Sequence, residues 1–440
     1  RRLGVCPGQR ARTINLQREL SKVRDGTARA DWMLDLANVW MGLYLDVHGT
    51  TEADRFKDYF DNGEEVREIA EEGFRNCPER EDLPTVDAII DLALKRREHF
   101  IRRPCLLGME LRWRDGPSEI DVLPDETLRR MVAFRLTDGT GNTPEWVTYL
   151  VRRRPALVAG VLLPYASRML KAGEEYVHGV YELEHGSDYR AVAVEVVPCL
   201  LESFRVRAKR GQLHHLEALL KAALRYVPEQ LPALIETKLS RKGMDAAQRV
   251  YWLGAATLLD PAQYESALRQ YVGRSEVRAN DLGSFLGEHL GHTSRGEALP
   301  AGTLGRLIEH IAPHAEIAWR TGSFTATGAM ERGDQIRALI NRLGALATPE
   351  AEHEINRLLE LPALHELKHL LEATRHESRQ RQREKEFRFL DPAEVAQVLA
   401  NQEPANAADL AALTREVLDD IGRELRQDND DGFRMFWNVG

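Results

Sequence analysis

The chain has 440 residues, of which 43% are hydrophobic and 29% charged, and its formal net charge is −9. That balance excludes a disordered chain, and the length suffices for several small cores or one continuous core. No apolar run approaches the roughly 20 residues of a membrane-spanning helix. The negative total argues against a wholesale phosphate-binding surface and leaves local basic patches open.

Cys6, Cys77, Cys105 and Cys199 are scattered without a CxxC pair. This fits a reducing, cytoplasmic setting and argues against a disulfide scaffold or a cysteine-built zinc site. The start at Arg1 rather than Met is expected of a piece of a longer protein, in which a targeting signal or further module would lie outside view.

In chain order, Leu16, Leu20 and Val23 fall at helical spacing, and Trp32, Leu36, Val39 and Leu43 give residues 28–45 a strong amphipathic stripe. Glu64, Glu65, Glu68, Glu71 and Glu72 line an acidic helix with a solvated face. Thr85 caps a helix carrying Val86, Ile89, Ile90 and Leu94, and Lys95, Arg96 and Arg97 at its end suit the negative pole of the helix dipole. Between Leu106–Trp113 and Ile120–Leu123 stands Arg114-Asp115-Gly116-Pro117, a turn signal that predicts a β-hairpin closing a first domain, 1–124.

From Thr143 to Leu290 amphipathic segments follow one another with short turns. Thr143-Pro144 opens one, bearing Trp146 and Leu150. Pro155 opens another with Val158, Val161, Leu162, Tyr165 and Met169, and Pro164 is expected to kink it. Ala191–Val197 is Val-rich and strand-like by propensity, yet its helical neighbours favour a helix. Leu213, Leu216, Leu220 and Ala223 face Leu231, Leu234, Ile235 and Leu239 across Pro228.

Asp245 reads as an N-cap with Gln248 as its capping-box partner. The helix it opens is apolar on two faces, Ala246, Val250 and Leu253 on one and Trp252, Ala256 and Leu259 on the other, which places it between two neighbours. Asp260-Pro261 and Gly273 bracket the next. Helix pairs recurring every 30–45 residues or so mark an all-α chain, an irregular α-solenoid of HEAT-like pairs over 125–312.

Pro313–Gly333 lacks periodicity and reads as a loop, 313–333. Helical repeats resume over 334–440 with Ile336, Ile340 and Leu343, then Thr348-Pro349-Glu350 opening a helix of Ile355 and Leu358. A long helix is predicted over 362–389, and a last one bears Leu410, Leu413, Val417, Ile421 and Leu425.

Chemistry-bearing patterns are few. His365-Glu366-Leu367-Lys368-His369 matches HExxH, which on a helix sets two imidazoles one turn apart for zinc with the Glu as base. Against it, Lys368 is charged where a packed interior is needed. The third-ligand candidates Glu377, Glu384 and Glu386 continue the same helix, so His365 and His369 are weak metal candidates. The run Arg375–Arg388 is interrupted by those glutamates and reads as a salt-bridged helix.

Arg152, Arg153 and Arg154, with Arg205, Arg207, Lys209 and Arg210, lie at helix ends or turns. They either complement helix dipoles or, stacked along one edge, form a basic ridge for nucleic acid. His214 and His215 read as surface residues. No GxxxxGK[ST] loop or GxSxG elbow is present, and no catalytic residue or cofactor is assigned.

Several segments carry a family resemblance. These are Val250-Tyr251-Trp252-Leu253 with Leu259-Asp260-Pro261, and Gly333-Asp334-Gln335-Ile336-Arg337-Ala338-Leu339-Ile340 with Ala347-Thr348-Pro349-Glu350-Ala351. Pro404-Ala405-Asn406-Ala407-Ala408-Asp409-Leu410 and Phe436-Trp437-Asn438 add to it. From about residue 144 onward the chain resembles the helical C-terminal region of bacterial NACHT/STAND-type antiphage defence NTPases.

The resemblance implies a sensor arm whose partner is a protein or phage component, with ATPase and effector modules elsewhere. A non-catalytic interaction region is therefore the first reading. A nucleic-acid-binding helical repeat is the second, and a zinc hydrolase the third. Oligomeric state is not legible.

Overall fold

The computed structural model describes residues 18–386 apart from 46, 140–141, 287–292, 294–296 and 317–327, together with Leu16, Ala411 and Arg415. Contacts divide the chain into two units, Arg1–Ser378 and Arg379–Gly440.

Local chemistry sets most helix starts. Thr51 and Asp54 cap each other reciprocally at the start of one helix. Thr85 accepts the Ala88 amide at 3.3 Å, Asp260 that of Gln263 at 3.0 Å, and Thr348 that of Ala351 at 3.2 Å. Asp245 accepts the amides of Ala247 and Gln248 at 3.1 and 3.4 Å. Gln248 makes no return bond; it is buried, and its Nε2 has no partner.

The described elements are α1 (Leu20–Arg24), α2 (Ala30–Trp40), α3 (Glu52–Tyr59), α4 (Gly63–Asn76), α5 (Val86–Leu94), α6 (Arg102–Asp115) and α7 (Ser118–Asp121). Then come α8 (Asp125–Asp138), α9 (Glu145–Arg153), α10 (Pro155–Ala172), α11 (Val180–His185), α12 (Arg190–Ser203), α13 (Leu213–Tyr226) and α14 (Leu231–Leu239). The series ends with α15 (Ala246–Leu259), α16 (Pro261–Val272), α17 (Glu276–Leu286), α18 (Ala301–Ile311), α19 (Gly328–Leu346), α20 (Pro349–Leu359) and α21 (Lys368–Glu386).

The fold is all-α, and no strand occurs among the described residues. Packing runs in series: α10 lies on α8 and α12, α12 on α13, α13 on α11 and α15, and α15 on α14, α16 and α17. Further on, α17 packs on α19, and α18 on α19 and α20. From α10 to α20 the helices therefore bury their stripes mainly against elements one or two places away, as in a helical-repeat array. In α15 nearly every residue from Ala247 to Leu258 is buried, as a helix apolar on two faces requires. Gly254 lets Phe285 of α17 approach, since a Cβ there would stand 2.7 Å from the ring.

The predicted hairpin at 106–123 is replaced by α6 and α7. Cys105, Gly108, Met109 and Arg112 are buried at i, i+3, i+4 and i+7, a helical period that the Leu- and Trp-rich run obscured. Gly108 packs against α4 so closely that a Cβ would lie 1.9 Å from the Phe74 carbonyl oxygen. The Asp115-Gly116-Pro117 signal is the end of α6, with Gly116 at φ 141°.

The Val-rich 191–197 segment is helical within α12, and Pro164 sits inside α10. In the 313–333 loop region, Ala312–His314 form a 3-10 turn and α19 already begins at Gly328. The long helix predicted from 362 starts as α21 at Lys368, after a 3-10 segment, Pro362–Leu367. Residues 387–389 and nearly all of 410–425 lie outside the described residues, as do the last two segments that carry the resemblance.

Candidate functional site: an aromatic and acidic cleft

Gly173, at φ 83°, ends α10, and Gly179, at φ 85°, precedes α11. Between them the chain turns out over the start of α13. A cleft of about 570 Å³ opens there, between 176–185 and 214–221. Tyr176 is 80% exposed and Tyr181 63%. Four residues further along α11, the His185 ring stacks on Tyr181 with centroids 3.9 Å apart and planes 9° apart. From α13, the His214 ring stands 6.4 Å from that of Tyr176.

Beneath this rim the side chains are charged and buried. Lys221 is 6% exposed and Glu184 7%. Lys221 Nζ lies 2.7 Å from Glu217 Oε1 and 3.9 Å from Glu184 Oε1. A charge so buried persists only when paired, and the lysine offers one positive charge to two carboxylates. With Glu182 on the rim, three glutamates and one lysine line the cleft.

His215 does not offset that excess. It is 4% exposed, and its Nε2 faces the Glu175 carbonyl at 3.0 Å, so this nitrogen is the donor. Burial, with His214 beside it, holds its pKa down at about 4. His215, expected at the surface, is instead buried as the third residue of α13, and only His214 is exposed.

The basic residues proposed for nucleic acid are divided. Arg152 forms a two-pronged bond with Asp188 at 2.7 and 2.8 Å. Arg154 pairs with Asp125 at 2.7 Å and Arg210 with Asp281 at 3.2 Å, while Arg207 Nε donates to the Gly243 carbonyl at 3.1 Å. Arg153, Arg205 and Lys209 are exposed, and their side-chain charges make no ion pair among the described residues.

His365 lies in the 3-10 segment and His369 in α21 with its side chain fully exposed, so a change of helix type falls inside the HExxH spacing. Among the described residues no group of three or more His, Cys, Asp or Glu side chains is set to hold a metal ion. No described helix is long and apolar enough to cross a membrane.

Sequence reasoning singled out none of Tyr176, Tyr181, Glu182, Glu184 or Lys221. The available signal was a pair of tyrosines, one on either side of Gly179, in a short polar segment. Comparison of the chain with protein-family models, curated proteins and solved structures finds no match.

Proposed function

We propose that the chain is a non-catalytic recognition arm that seats a basic segment of a protein partner in the cleft between α11 and α13. The observation that carries this is the exposure of Tyr176 and Tyr181 over a cleft with more carboxylates than cations. Large aromatic rings left in water at a concave surface favour binding. Rings beside carboxylates suit a guanidinium or ammonium, held by cation–π attraction and charge together. The serial array around the cleft suits the role, because each repeat leans on its neighbours and leaves one edge for a partner.

The resemblance to NACHT/STAND-type defence NTPases supplies a biological setting: a sensor arm reading a phage protein in a bacterial cytoplasm. Reading the gene across both ends of the chain tests that setting, with an upstream GxxxxGK[ST] module expected. The nucleic-acid reading has less support, because Arg152, Arg154 and Arg210 already face carboxylates.

The cleft itself is tested by fluorescence anisotropy with a labelled Arg/Gly peptide and its Glu/Gly counterpart. The Arg/Gly peptide binds the whole chain, and Tyr181→Ala and Glu182→Gln each weaken it about tenfold. Equal affinity in both variants, or preference for the Glu/Gly peptide, overturns the assignment.

A further inference from the structure

A second cleft, of about 350 Å³, lies where the end of α16 meets the end of α18. Arg269, Arg274 and Arg306 line it with Glu309, His310 and His314. Gly273, at φ 54°, ends α16, and Arg274 follows on the wall of the same cleft.

The charges there do not cancel. Arg306 is held by Glu265, with one bond at 2.7 Å, and Glu309 is held by Arg357 at 2.7 Å. The guanidinium groups of Arg269 and Arg274 are exposed and make no hydrogen bond or ion pair among the described residues. His310 Nε2 is buried without any hydrogen-bond partner. Burial first, then the nearby Arg269 and His314, lower the pKa of that ring.

Cations at the ends of α16 and α18 also face helix C-termini, which accounts for part of their placement. It supplies no acceptor for His310. Buried polar atoms in folded proteins are almost always satisfied, so an unpartnered ring nitrogen on a cleft lined by two arginines without ion pairs among the described residues suits an oxygen-rich anion.

We infer that this cleft is a phosphate-binding site in which Arg269 and Arg274 grip the phosphoryl oxygens and His310 Nε2–H donates to one of them. The ligand is free phosphate or a small phosphomonoester. The volume leaves room for an organic group beside the phosphoryl.

Calorimetric titration of the whole chain tests this with inorganic phosphate, phenyl phosphate and chloride. Saturable binding of phosphate supports the site, and tighter binding of phenyl phosphate identifies a phosphomonoester as its source. The Arg269→Glu/Arg274→Glu double variant weakens either ligand about tenfold or more, and His310→Leu weakens it by a smaller factor. Arg153→Ala, a free arginine elsewhere, retains full binding. Far-ultraviolet circular dichroism confirms that the exposed double variant stays folded. Equal binding of chloride, no saturable binding, or undiminished binding by the double variant overturns the site.

Discussion

The cleft between α11 and α13 and the one between α16 and α18 are built from the same parts and carry opposite charge. The first lies over α11 and the start of α13, the second where α16 and α18 end, and each places histidines near ionised side chains. The difference lies in where the counter-charges go. In the first, Lys221 is buried under two glutamates and leaves negative charge at the rim. In the second, Glu265 and Glu309 bond Arg306 and Arg357, and Arg269 and Arg274 are left with no ion pair among the described residues. In a helical array the pairing between neighbouring repeats decides the sign of each groove, so one sequence style can present both.

The harshest way to break the comparison is through the support the clefts share. Trp252, 1% exposed in α15, is expected to cost about 3–5 kcal/mol when changed to Ala. Thermal melts read that loss. Below the new midpoint both clefts should keep their affinities within about twofold, because repeats interact only with neighbours. Loss of one affinity alone would show that α15 belongs to that cleft.

Next in size is the acid response of His215. Its folded pKa of about 4 lies below the ordinary value of 6.5. Between those values the unfolded chain binds more protons, so the contribution is complete above pH 6.5 and falls away towards pH 4. The loss is roughly 3 kcal/mol. Urea unfolding at pH 7 and pH 4 should show a smaller difference for His215→Gln, and an unchanged difference would remove His215 as the cause.

A charge reversal at the rim separates the two clefts. Glu182→Lys should weaken the Arg/Gly peptide about thirtyfold, or ~2 kcal/mol, and leave phosphate binding as it was. A parallel loss of phosphate binding would mean that the clefts communicate. The smallest effect is at Asp245, whose removal as Asp245→Ala should cost about 1 kcal/mol by unfolding measurements, with neither affinity changed.

Much of the fold was legible because it is written locally. Thr85, Asp245, Asp260 and Thr348 each announce a helix start through a bond to an amide two or three residues on. The two apolar faces of Ala246–Leu259 told correctly that the helix is enclosed.

The hairpin failed because Asp115-Gly116-Pro117 suits a helix end as well as a β-turn. What decided between them was the backbone contact at Gly108, which only the neighbouring helix reveals. The candidate site was not legible at all. Tyr176 and His214 are far apart in sequence and meet only through the packing of α11 on α13, and the burial of His215 is a tertiary fact.

The serial contacts of α10 to α20 carry a mechanical consequence. Tension applied along such a chain is borne mainly by each interface in turn, with a few longer ties such as Arg210–Asp281 sharing the load. The molecule should lengthen under force in small successive steps, one or two helices at a time, and recoil in the same increments when released.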